Sequence, residues 1–216
     1  MSDHDRAKDR AEHADLVRLP APLTPILTAE LDGAAENLRV PVEAILLAAL
    51  GRMFARTIGD GVVVVDLPGQ DRSVPLACSP PDKTSATQML AETRQTLTDA
   101  PVEPQTVRRV SEVGFSYGRA LPASEHALEL LAYRGGGVLQ LDWRYDPERF
   151  NPYTVEEFSE QFPLALIELT SEAVPQPDKR RPERRRRRTG FAPVIRIDGN
   201  GTDPAITGEP SEEQLK

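Results

Sequence analysis

Histidine, cysteine and long apolar runs are what this 216-residue chain has least of. Cys78 is its single cysteine, which excludes an intramolecular disulfide and a cysteine-rich zinc centre. Nothing near Cys78 favours a thiolate, so it reads as a small packed side chain. Only three histidines, His4, His13 and His126, offer a group that titrates near neutral pH. His4 and His13 fall in a polar leader, and His126 follows the loop Pro122-Ala-Ser-Glu125, where it reads as a solvated loop-end residue. No run approaches the roughly 18–20 apolar residues that span a bilayer. The N-terminal string MSDHDRAKDRAEHAD is charged without an apolar centre, so the expected location is the cytoplasm. A glycine-rich phosphate loop is also missing, because Gly135-Gly136-Gly137 lies between two strand patterns instead of ahead of a helix. The acidic residues show no metal-ligand spacing, and neither a metal nor a cofactor of the chain's own is expected.

What is present is one strong apolar unit, residues 41–67 (PVEAILLAALGRMFARTIGDGVVVVDL). Val42, Ile45, Leu46, Ala49, Leu50, Met53 and Ile58 recur at helical spacing, Pro41 suits the first helical turn, and Gly59 suits the end. The β-branched run at 62–65 predicts a strand covered on both faces. Upstream, the spacing predicts a short helix over 29–38 with Thr28 as its N-cap. Downstream, residues 67–83 lack periodicity and contain Pro68, Pro75, Pro80 and Pro81, which predicts a long loop. A helix over 85–98 follows, capped by Ser85 or Thr84. Val113, Phe115 and Tyr117 alternate as a strand. Two further alternating runs, 128–133 and 139–145, flank the three glycines as a β-hairpin whose outward residues are Gln140, Asp142 and Arg144. A last helix is expected to start at a Thr154–Glu157 capping box and to kink or break at Pro163.

Together these elements predict an α/β (α+β) two-layer sandwich, a mixed sheet with packed helices, over residues 23–173. A polar leader (1–22) that adds nothing to the core precedes it, and a disordered tail (174–216) follows. Charge is divided unevenly. Residues 179–216 hold ten Lys/Arg against six Asp/Glu, net +4, which leaves sixteen against twenty-eight, net −12, for residues 1–178. The acidic body repels nucleic acid at long range. Only the patch Arg184, Arg185, Arg186, Arg187 and Arg188 would attract nucleic acid or an anionic membrane, and without interleaved aromatics it reads as a solvated linker.

Three strings, taken in order, resemble a known family. ILLAALGRMFARTIGDGVVVVDLPGQDR is similar to a helix, a Gly/Asp turn, a valine-rich strand and a loop carrying Gly-x-x-Arg, here Gly69 and Arg72. VGFSYGR is similar to a Phe-Asn-Tyr strand, with Ser116 at the Asn position. LELLAYRGGGVLQLDWRYDPERFNPYTVEEFSEQF resembles a final hairpin, a Tyr-x-x-x-x-Phe segment (Tyr145, Phe150) and a closing helix. This is the pattern of the C-terminal half of condensation domains of nonribosomal peptide synthetases, in the chloramphenicol acetyltransferase-like superfamily. The resemblance implies a single chloramphenicol acetyltransferase-like lobe, with Arg72, Ser116 and Tyr117 lining the cleft that such a lobe shares with its N-terminal half. It also implies family chemistry of acyl transfer or amide-bond condensation. Phosphopantetheine would enter only as carried by a partner carrier protein.

The family's His-His-x-x-x-Asp-Gly motif has no counterpart in this sequence, and Cys78-Ser-Pro-Pro81 stands for a shortened family segment. The expected function is therefore a catalytically incomplete lobe, a pseudoenzyme that binds or scaffolds in peptide or lipopeptide biosynthesis. Its partner would be a carrier protein, a complementary N-terminal lobe, or a second copy of itself. Two alternatives stand beside it: a split enzyme completed by another chain, and an adaptor that works through the Arg-rich tail. A decayed fragment is the reading without function.

Overall fold

The computed structural model describes residues 16–70, 72–99, 111–118 and 126–175. In chain order these form strand β1 (Val17–Pro20), helices α1 (Pro25–Leu38) and α2 (Val42–Thr57), strand β2 (Gly61–Leu67), a 3-10 turn (Pro68–Gln70), strand β3 (Arg72–Cys78), helix α3 (Ala86–Thr98), strands β4 (Val113–Tyr117), β5 (Leu128–Gly135) and β6 (Val138–Tyr145), and helix α4 (Pro152–Glu172). The strands make one sheet in the order β1-β6-β5-β4-β2-β3. β4 runs parallel to β2 and to β5, and the other pairs are antiparallel. The described helices cover one face, giving the two-layer mixed sandwich expected from the sequence. None of them is long and apolar enough to cross a membrane.

α2 is the centre of the helical layer. Every residue from Ala44 to Phe54 is buried, because the sheet lies on one side of the helix and α3 and α4 pack on the others. Each fully buried Leu, Ile or Met contributes about 1.5–3 kcal/mol. Pro41 stands one position earlier than expected, as the N-cap whose carbonyl accepts from Ala44 and Ile45. After α2, Gly59 takes a φ of 118° and donates its N–H to the Phe54 carbonyl. α4 lays Phe158 against Phe54 edge-on at 5.5 Å, and Phe162 against Trp143 of β6 at 5.9 Å.

Several expectations need correction. The helix predicted from residue 29 begins at Pro25, with Thr24 as N-cap. A proline at N1 loses nothing, since its N–H would have no intrahelical partner. Thr28 is buried inside that helix, and its hydroxyl accepts from the Leu139 N–H. The expected loop at 67–83 contains β3. Pro75 sits in this edge strand, where a missing N–H costs no ladder bond, and Val74, Leu76 and Cys78 alternate into the core. The valine strand is covered on one face only: Val65 is buried, whereas Val62 and Val64 are 68% and 49% exposed. β1 extends the sheet to Val17, upstream of the expected boundary at residue 23, with Leu19 packed on the core. α4 is capped by Asn151, which accepts from the Tyr153 N–H, so Thr154 lies within the helix. It also passes Pro163 without a break. A mid-helix proline costs about 3 kcal/mol. Phe158 and Phe162 before it and Ala165, Leu166 and Leu169 after it are all buried, and that packing keeps both halves in one helix.

The hairpin turn of β5 and β6 falls at Gly136 and Gly137, with φ of 63° and 81°. Two successive positive φ values make a two-residue hairpin turn that suits glycine. Residues 1–15 and 176–216 lie outside the described residues, and with them the Arg-rich patch.

Candidate functional site

Strand alternation sends every second residue to the face that the described helices leave open. From β1, β6, β5, β4 and β2 that face receives Arg18, Asp142, Arg144, Glu129, Tyr133, Ser116 and Asp66. The sequence predicts a wet face here, yet Asp142 and Glu129 are 3% and 1% exposed. A buried carboxylate requires compensating charge or hydrogen bonds. Asp142 Oδ2 accepts from Arg18 Nη2 at 2.5 Å and from the Tyr133 hydroxyl at 3.3 Å. Glu129 stands 3.9 Å from Arg144 Nη1, its partner across the hairpin.

His126 overturns its sequence reading as a solvated residue. Its side chain is 10% exposed, with Nε2 3.0 Å from Asp66 Oδ2 and Nδ1 3.5 Å from Glu129 Oε1. The ring lies directly over Gly114 of β4, where a Cβ would come within 2.9 Å of Nδ1, so the close approach depends on glycine. Glu129 first, and then Asp66, raise the imidazole's pKa above its ordinary 6.5, although burial works against them. Asp66 is held in turn by the Ser73 hydroxyl and by the Ser111 N–H at 3.1 Å. With both ring nitrogens turned to carboxylates, His126 is placed to clamp β2 to β5.

The three residues expected to line a cleft lie near one end of the sheet but on different faces. Arg72 opens β3 opposite Leu67, and it opposes the burial that raises the pKa of Glu43 in the first turn of α2. This puts Arg72 on the helix side. Ser116 is buried on the open face. Tyr117, the next residue, packs partly on the core and borders a groove of about 650 Å³ that also involves Arg18, Leu131, Tyr133 and Arg144. A second hollow of about 500 Å³ is apolar, between Phe54, Ile58, Val63, Val64, Val113 and Phe150. Cys78 is buried, and desolvation pushes its thiol up to about 11, which makes it inert. Among the described residues no group of three or more His, Cys, Asp and Glu could hold a metal ion.

Sequence reasoning misses Asp66, Glu129 and the position of His126. The hairpin register is a usable signal for one pair: a turn at Gly136 and Gly137 sets Glu129 opposite Arg144. The meeting of His126 with Asp66 depends on the parallel pairing of β2 and β4, and no local pattern encodes it.

No family model matches the chain. Solved structures do. The epimerization domain from the third module of tyrocidine synthetase B superposes with a TM-score of 0.63 at 15% identity, over 74% of this chain and 49% of that one. The condensation domain from Monacolin K polyketide synthase superposes with a TM-score of 0.58 at 12% identity, over 74% and 48%. This chain has the fold of a condensation-domain lobe. Among curated proteins, a subunit of the phenolphthiocerol/phthiocerol polyketide synthase of Mycobacterium tuberculosis is 31% identical across 74% of this chain. The condensation-like lobe spans only 15% of that relative's length and about half of the solved domains.

Proposed function

We propose that this condensation-like lobe is a binding component of a peptide or polyketide-peptide assembly system, without acyl-transfer chemistry of its own. The observation that carries this reading is His126. It is the single histidine among the described residues, and its nitrogens face Asp66 and Glu129. An acyl-transfer base needs a nitrogen within reach of the substrate's proton. The sequence supplies no His-His-x-x-x-Asp-Gly string to provide one. The likeness to about half of each solved domain supports a lobe that docks against a complementary lobe or a carrier protein.

The test is co-elution of the purified chain with the carrier proteins and condensation-type lobes encoded beside it, followed by an acyl-transfer assay of any complex. Complex formation without turnover is the expected result. Turnover by the isolated chain would overturn the reading. Turnover that appears only with a histidine-bearing partner lobe would replace it with the split-enzyme alternative, and indifference to every neighbouring synthetase protein would remove the docking role.

A further inference from the structure

The 650 Å³ groove on the open face has a charge arrangement that the docking role does not use. Three arginines border it, Arg18 from β1, Arg134 from β5 and Arg144 from β6. Two of the carboxylates that balance them lie beneath the surface: Arg18 is 55% exposed over Asp142 at 4%, and Arg144 is 31% exposed over Glu129 at 1%. A carboxylate below a guanidinium fixes its position and leaves its outer N–H groups directed to the groove. Asp142 holds Arg18 this way while also accepting from Tyr133. Arg144 keeps more of its donors, since its 3.9 Å separation from Glu129 exceeds a hydrogen bond. Between the arginines, buried Leu131 and the ring of Tyr133 give an apolar floor and wall. Cationic rims around an apolar floor, at a volume ordinary for ligand pockets, fit an amphiphile with one anionic end.

We propose that this groove binds an organic anion, a carboxylate or phosphate monoester on a short alkyl chain, with the anion between Arg18 and Arg144 and the chain over Leu131. The body of the protein is acidic, so the attraction is local to the groove and short in range. Binding needs no partner, which separates this inference from the docking role.

The experiment is calorimetric titration of the purified chain with hexanoate, hexyl phosphate and the neutral hexanamide. At least one anion is expected to bind saturably, about tenfold or more tighter than hexanamide, and to weaken as salt rises. Which of the two binds identifies the anion class. Arg144→Gln and Arg18→Gln should each weaken the anion by about tenfold. Arg94→Gln, on α3, should leave it unchanged. Circular dichroism of each variant checks folding, and the salt dependence of the unaltered chain gives the answer if a variant fails to fold. Absence of saturable binding by either anion, equal binding of hexanamide, or indifference to both groove substitutions would each overturn the proposal. A chain that binds no anion yet pairs with a partner would sink this inference alone, and the converse result would sink the docking role alone.

Discussion

On the covered face of the sheet, polar side chains are few and strongly held; on the open face they are many and held by one another. Arg52 typifies the first. It is fully buried in α2, with Nη2 donating to the Thr84 carbonyl at 2.7 Å, Nη1 to the Ser79 carbonyl, and Nε 3.0 Å from Glu168 of α4. His126 typifies the second, an imidazole between carboxylates from two strands that are themselves met by Arg144 and Ser111. The covered face therefore draws its stability from packing, with one polar tie that joins α2, α4 and the segment after β3. The open face is a preset layer of charges, well suited to recognising something and poorly suited to being a core.

The largest expected effect breaks the covered side. Phe158 is fully buried and stacks edge-on against Phe54 and beside Trp143. Phe158→Ala should destabilise the lobe by about 3–5 kcal/mol, because it removes an aromatic contact and leaves a cavity among neighbours that cannot close over it. Chemical denaturation with matched slopes checks this. A loss below about 1 kcal/mol would mean that α4 is not the tight lid on α2 that its burial shows.

How much of this contrast is legible in the sequence follows from the range of the forces. α2, α3, β4 and the β5–β6 hairpin follow from periodicity and turn chemistry, which are local. β3 escapes that reading because Pro75 has the look of a breaker, although an edge position makes it harmless. Thr24 and Asn151 are hidden as caps because Thr28 and Thr154 offer equally good local patterns. The valines of β2 look alike in sequence, and only the arrangement of layers decides that Val65 is inside while Val62 is out. The site is the least legible part. Asp66, His126 and Glu129 come from two strands and a loop, and their meeting is a product of strand order.

An intermediate effect probes the clamp on the open side. Because Glu129 and Asp66 raise the pKa of His126 above 6.5, the charged imidazole stabilises the fold below that value, and the contribution is lost as pH rises through the folded-state pKa. His126→Asn should therefore cost about 1–3 kcal/mol near pH 6, where buried Glu129 and half-buried Asp66 lose their cation. The gap between the two proteins should narrow toward about pH 9, as the native ring loses its charge with rising pH. Paired melts at the two pH values decide it. A pH-independent difference would show that the ring acts by shape and not by charge.

The smallest expected effect sharpens the contrast from the other direction. Val62 and Val64 lie in the same run as buried Val65, yet both point to the open side. If that side were part of the isolated lobe's core, changing either valine to threonine would put a hydroxyl where no partner waits, at about 1–3 kcal/mol. With both valines exposed, Val62→Thr and Val64→Thr should each fall within about 0.5 kcal/mol, since threonine keeps the β-branched shape that strands favour. The Val64 substitution then becomes a probe of docking. Val64 borders the apolar hollow with Ile58 and Phe150, so a partner seated there would desolvate the new hydroxyl. A variant that is neutral for the melting of the isolated chain and costly for complex formation would place the partner on this hollow, whereas neutrality in both would direct the search to the arginine-rimmed groove.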